Sequence, residues 1–198
     1  FAEFLKQLPV PCIIIGNKVD DEIPYVGIDE RKAARDAALK LVEKKYEKIV
    51  FVCPPLCDEE KENIYSHKQR EIGFLEVMRE HPEVESEVIA SWNYIEEADG
   101  ILKKTGKRTA FFCSGDEYAL RLMKNFRMEK LRAPRDYGIM GFDNIDTLQY
   151  MEPQLSTTDN GVEEVGRQAV RLLFQSLEGK EIPKKNMVQY TAMDGETI

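Results

Sequence analysis

Residues Asp136–Thr157 read DYGIMGFDNIDTLQYMEPQLST. The apolar run Tyr137–Met140 has the length and composition of a short buried strand. It stops at Gly-Phe-Asp, which puts Asp143 at the strand's C-terminal edge, and Pro-Gln-Leu-Ser-Thr (153–157) follows a short way on. In open α/β sheets ligands bind in the crevice beyond the carboxyl ends of the strands. This stretch therefore predicts a binding cleft with an acid on its floor, before any enzyme motif is considered.

Strands and helices alternate along the chain. Apolar or β-branched runs at Pro11–Ile15, Pro24–Ile28, Lys48–Cys53, Glu87–Ala90, Thr109–Cys113 and Met187–Thr191 read as strands. Helical spacing of apolar residues predicts helices over Glu30–Lys45, His67–His81, Tyr94–Lys104 and Val162–Leu177, and one from Asp116 to about Arg127. Asp29 and Asp116 stand where side-chain caps belong. Gly16–Glu22 and Pro54–Ile64 are polar loops, the latter expected at a cleft mouth. Strands separated by helices of this length imply βαβ units, a parallel sheet and helices on both faces. No internal repeat or low-complexity segment is present.

Composition narrows the function classes. The 198-residue chain is 42% hydrophobic and 32% charged, which suffices for one core or two small lobes beneath a water-exposed surface. A net charge of -8 argues against this segment being itself a nucleic-acid surface, which is usually basic. No apolar run approaches the roughly 20 residues of a membrane span, and no signal-peptide pattern stands at the start. The chain begins at Phe1 rather than Met, so it is expected to be a piece of a longer protein. Cys12, Cys53 and Cys113 sit in or beside apolar runs and read as buried, reduced thiols of a cytoplasmic protein. Cys53 and Cys57 have a spacing that some zinc sites use. No second pair follows, however, and His67 and His81 are isolated, so neither metal nor cofactor is expected.

Enzyme signatures are missing. There is no phosphate loop of the Walker type, no G-x-G-x-x-G, no nucleophile elbow and no H-E-x-x-H zinc helix. The chain reads as a binder, not an enzyme.

Several landmarks then line up: PVPCIII (9–15), VGID (26–29), REIGF (70–74), GDEYAL (115–120), APRDYGIMGFD (133–143) and PQLST (153–157). In order and spacing they resemble the effector-binding domain of the lactose/galactose-repressor (LacI/GalR) family. That domain shares its fold with periplasmic sugar-binding proteins. The resemblance covers nearly the whole chain. It implies an α/β, periplasmic-binding-protein-like type I fold, in which two parallel-sheet sandwich lobes are joined by three crossing segments with a small ligand between them.

By this comparison residues 1–27 and 158–186 form a partial N-terminal lobe, and residues 28–157 and 187–198 form a complete C-terminal lobe. The crossings would fall near Tyr25–Asp29, Ser156–Asn160 and Lys185–Gln189. A helix-turn-helix headpiece, a hinge and the first half of the N-terminal lobe would lie outside this sequence. The implied function is a ligand-sensing domain of a DNA-binding transcriptional regulator, cytoplasmic and homodimeric. It would bind a sugar or sugar derivative, and would touch operator DNA only through a headpiece absent from this chain. The alternative is the sugar-binding protein of an ABC transporter.

The resemblance also marks site residues. Arg70 matches the family's ligand-binding arginine, and a guanidinium can grip vicinal hydroxyls or a carboxylate bidentately; otherwise it is a surface arginine. Asp143 matches the binding aspartate, against an Asx-turn role suggested by Asp143-Asn144. Trp92 and Tyr25 lie where pocket aromatics can stand, Trp92 being otherwise a core or helix-staple residue. Asp116 follows the family's pocket asparagine, here replaced by Gly115, and is otherwise a helix cap. Asn160 and Ser66 complete the set of candidate ligand contacts. A second departure is Tyr190-Thr191-Ala192-Met193, where the family often ends its last strand with a basic residue and Ser or Thr.

Overall fold

A computed structural model describes residues 1–56 and 64–198. Four parallel strands form the larger sheet: β3 (Lys48–Cys53), β4 (Glu85–Ala90), β5 (Thr109–Cys113) and β6 (Gly138–Met140), in the order β4-β3-β5-β6. The returns run through α3 (Tyr65–Glu80), α4 (Tyr94–Lys104) and α5 (Asp116–Met128), while α2 (Glu30–Glu43) precedes β3.

The buried strands alternate between two cores. Ile49, Phe51 and Cys53 of β3, with Ala110 and Phe112 of β5, face Ala34, Ala37 and Leu41 of α2 and Phe74 and Val77 of α3. Val50, Val52, Phe111 and Cys113 face Tyr94 and Ala98 of α4 and Leu122 and Phe126 of α5. Being covered on both faces explains why these strands read as continuous apolar runs rather than polar–apolar alternations.

A smaller parallel sheet holds β1 (Ile14–Ile15), β2 (Tyr25–Gly27) and β8 (Lys185–Met187). The helix α6 (Val162–Leu177) lays Val165, Ala169 and Leu172 against Val26 of that sheet. A third, antiparallel pair joins β7 (Thr157–Asp159) to β9 (Thr191–Met193). β7 also lies alongside the end of β6, with bridges Met140–Ser156 and Asp143–Asp159.

The structure corrects the reading of the C-terminal segment. Met187–Thr191 is not one strand. The chain leaves the small sheet after Met187, where Val188 N–H still bonds the Gly27 carbonyl at 2.8 Å, and re-enters strand pairing at Thr191. Between them the Tyr190 hydroxyl docks on α2, donating to Asp36 Oδ2 at 2.5 Å and accepting from Lys32 Nζ at 2.7 Å. Side-chain anchoring on a helix stands where one continuous backbone ladder was expected. The C-terminus is stitched in as well: Thr197 is fully buried, its hydroxyl accepting from Ser156 N–H and donating to the Ile139 carbonyl. Two short elements had no sequence signal, the helix α1 (Ala2–Lys6) and a 3-10 turn at Asp146–Tyr150.

α2 and α3 pack closely because Gly73 faces the α2 backbone, where a Cβ would collide with the Arg31 carbonyl oxygen. The contact is bordered by ion pairs from Arg35 to Glu76 (3.3 Å) and Glu80 (3.0 Å). Gly73→Ala is expected to destabilise the protein by about 1–3 kcal/mol despite the better helix propensity of alanine. Urea denaturation monitored by circular dichroism measures it.

Candidate functional site

Strand order reverses between β3 and β5, and their C-terminal ends open the crevice where α/β sheets bind ligands. Arg70 fills it from the second turn of α3 and is only 4% exposed. Its Nε donates to Glu30 Oε2 at 2.7 Å, one terminal nitrogen donates to the Ser114 carbonyl at 2.5 Å, and the other pairs with Asp143 Oδ1 at 3.1 Å. The guanidinium also lies 3.7 Å over the Phe142 ring. Two carboxylates and a carbonyl thus compensate a charge that burial alone would forbid.

Asp143 is about one-third exposed and is the acid that reaches the open side of this cluster. Burial pushes its carboxyl above the usual value and nearby Glu30 adds to that, while Arg70 and the Asn160 amide pull it back. Asn160 Nδ2 donates to Asp143 Oδ1 at 3.3 Å, and the buried Asn160 Oδ1 has no protein partner among the described residues. The Asp143–Asn144 pair does adopt turn backbone, with φ of 109° and 54°. A Cβ on Gly115 would stand 3.3 Å from the Tyr118 ring and 3.6 Å from Asp143 Oδ2, so the glycine keeps a side chain out of the space between them.

Asp116 is placed differently from its expected cap. Gly115 is the residue before α5 and has no side-chain cap, while Asp116 turns inward and is 1% exposed. Its Oδ1 accepts from the Thr157 hydroxyl at 2.6 Å and its Oδ2 from Ile145 N–H at 3.0 Å. Gly141 is required here because a Cβ would overlap that carboxylate. Burial raises the Asp116 carboxyl to about 6, against the pull of its hydrogen bonds.

The remaining candidates do not join the Arg70 cluster. The Tyr25 hydroxyl donates to the Gly16 carbonyl at 2.9 Å, and Ser66 Oγ reaches the same carbonyl at 3.3 Å while Ser66 N–H bonds Asn17 Oδ1. Ser66 stands one turn before Arg70, so α3 carries contacts to the small sheet and to the large one on a single face. Trp92 is neither core nor staple. It is 63% exposed on the loop after β4.

Sequence reading missed Glu30, which looked like an ordinary first-turn acid, and the pair His67–Ser114. His67 Nδ1 lies 3.1 Å from Ser114 Oγ and its ring meets Tyr118 edge-on. Burial, with Arg70 nearby, lowers its imidazole to about 4, so it is neutral near pH 7. No local pattern signals these groups; they meet through the sheet.

Cys57 lies outside the described residues, and with it the Cys53/Cys57 zinc spacing and most of the Pro54–Ile64 loop. Burial raises the thiols of Cys53, to about 12, and of Cys113, which suits inert core residues. Among the described residues no helix is long and apolar enough to cross a membrane.

A parallel-sheet α/β domain with a charged crevice at its switch point, faced by β7, has the geometry at which such sheets bind ligands. The model of the periplasmic binding protein-like domain family matches residues 38–198. Catabolite control protein A of Priestia megaterium is 30% identical over 195 residues, covering 95% of this chain and 57% of that protein. The HTH-type transcriptional repressor CytR of Escherichia coli K12 is 30% identical over 192 residues, covering 91% and 54%.

Among solved structures, the transcription regulator CcpA of Lactococcus lactis superposes with a TM-score of 0.82 at 22% identity, covering 99% of this chain and 72% of that one. A LacI family regulator from Enterococcus faecium with bound ribose superposes at 0.83 and 20% identity, covering 98% and 73%. The chain belongs to the periplasmic binding protein-like domain family, in the form found in LacI-family regulators. It spans about half the length of the curated relatives it matches.

Arg70→Leu leaves Glu30 and the Ser114 carbonyl buried without their partner, so it is expected to cost about 3–5 kcal/mol in chemical denaturation. Asp116 yields a pH signature. Its carboxyl titrates near 6 in the fold and near 3.8 ordinarily. As pH rises between these values the unfolded chain releases the proton first, so this group's stabilisation falls with rising pH, by about 3 kcal/mol in all. Asp116→Asn abolishes that loss. Its stability relative to the parent should therefore improve steadily from about pH 4 to pH 6 in urea titrations.

Proposed function

We propose that this chain is the ligand-sensing domain of a DNA-binding transcriptional regulator that binds an uncharged sugar or sugar derivative between two lobes. The lobes are residues 1–27 with 158–186, and 28–157 with 187–198. The observation that carries this reading is the meeting of Asp143, held by Arg70, with Asn160 of the crossing segment, at the switch-point crevice. A partly exposed carboxylate takes hydroxyl donors, and an amide oxygen without a protein partner takes one more. Glu30 and Asp143 both face a single arginine, so the charge balance disfavours a phosphate or carboxylate on the ligand.

Several similarities support a sugar-like effector. The ribose operon repressor of Halalkalibacterium halodurans is 29% identical over 202 residues. Relatives of known structure were solved with bound ribose and with D-xylulofuranose. Asp143, Arg70 and Asn160 are the proposed contacts. A ligand that prefers the closed arrangement of the lobes shifts the population toward it, and only that difference in affinity can alter DNA binding. The regulator would be a cytoplasmic homodimer that reaches operator DNA through a separate headpiece. The free thiols of Cys12, Cys53 and Cys113 favour this over a transporter's solute-binding protein.

Thermal shift against D-ribose, D-xylulose and their phosphates tests the reading. An uncharged sugar is expected to raise Tm, and Asp143→Asn to abolish the rise. Stabilisation by the phosphates alone would contradict the proposed ligand class. The same sugar should change the affinity of the complete regulator for its operator by about tenfold.

A further inference from the structure

We infer that Asp116 is a positioning residue for the cleft, tying the turn that carries Asp143 to the crossing strand β7 so that the two hold one conformation. Its carboxylate is buried and each oxygen serves a different segment: Oδ1 takes the Thr157 hydroxyl of β7, and Oδ2 takes Ile145 N–H just past the turn. Its own N–H bonds the Phe142 carbonyl at 2.7 Å, so backbone and side chain bracket the Asp143 turn.

That turn needs support. Asp143 and Asn144 are consecutive non-glycine residues at positive φ, a conformation that costs free energy unless its surroundings hold it. The crossing segment supplies the other holds. Gly141 N–H bonds the Ser156 carbonyl at 2.9 Å, Asp143 N–H bonds the Thr158 carbonyl at 2.8 Å, and Asn144 Nδ2 bonds Asp159 Oδ2 at 3.1 Å. Among the side chains of this knot, Asp116 alone comes from outside both segments and touches each. A rigid carboxylate bridge there explains why Gly141 lacks a Cβ and why burial of an acid is tolerated without a cation. The inference rests on the proposed function only in treating Asp143 as a ligand contact.

Amide hydrogen exchange of the whole chain by NMR tests it without any ligand. Asp116→Ala and the isosteric Thr157→Val should each speed exchange at Gly141 and Asp143 at least tenfold, while Asp116→Asn, which can still accept from Ile145 and donate to Thr157, restores protection. Amides of Ile49 and Phe111 in the sheet core should stay unchanged. If exchange rises only at Ile145, Asp116 merely satisfies one donor and the bridge does not exist. A uniform rise across the core amides in Thr157→Val would equally reject a local positioning role. Neither result depends on whether a sugar binds.

Discussion

A guanidinium taken out of water organises this molecule. Arg70 cannot be buried alone, because desolvating a charge costs several kcal/mol unless opposite charge and hydrogen-bond acceptors meet it. Its three partners come from three places: Glu30 at the start of α2, Ser114 after β5, and Asp143 after β6. Satisfying one side chain therefore fixes the ends of two strands and the docking of two helices at the crevice. The same requirement leaves Asp143 poised at the cleft, oriented from one side and accessible from the other.

The crossing strand adds a second constraint. β7 runs beside the end of β6 and pairs with β9, so it is tied both to the large sheet's edge and to the C-terminal segment. Asn160 continues from β7 to reach Asp143, which places a group from the crossing against a group from the large sheet. A ligand bridging those two would feel any relative motion of the sheets, as in hinge and shear closure around ligands.

Much of this was legible along the chain. The alternation of strands with helices pointed to a parallel sheet, and the runs Lys48–Cys53 and Thr109–Cys113 are apolar at successive positions because both faces of their strands are covered. Gly-Phe-Asp at the end of a short apolar run located the acid at a strand edge. Asp29 announced α2, and its side chain does accept from Lys32 N–H at the helix start. Where reading failed, a longer-range contact had displaced a local preference. Asp116 stands in a good capping position, yet Thr157 and Ile145 claim its oxygens. Met187–Thr191 reads as one apolar and β-branched run, yet Tyr190 is captured by Asp36 and Lys32 on α2.

Local chemistry, then, was enough for the α/β class, most of the order of elements and the strand-edge position of Asp143, since periodicity and strand-edge position are properties of neighbouring residues. The family and Arg70 were legible only through the resemblance of ordered motifs. Which groups surround those charges was decided in three dimensions. Glu30 lies 40 residues from Arg70 and Thr157 lies 41 from Asp116. Such partners are selected by burial, because a charge or polar group excluded from water must find a complement wherever the packed sheet happens to bring one. No spacing rule along the chain encodes that choice.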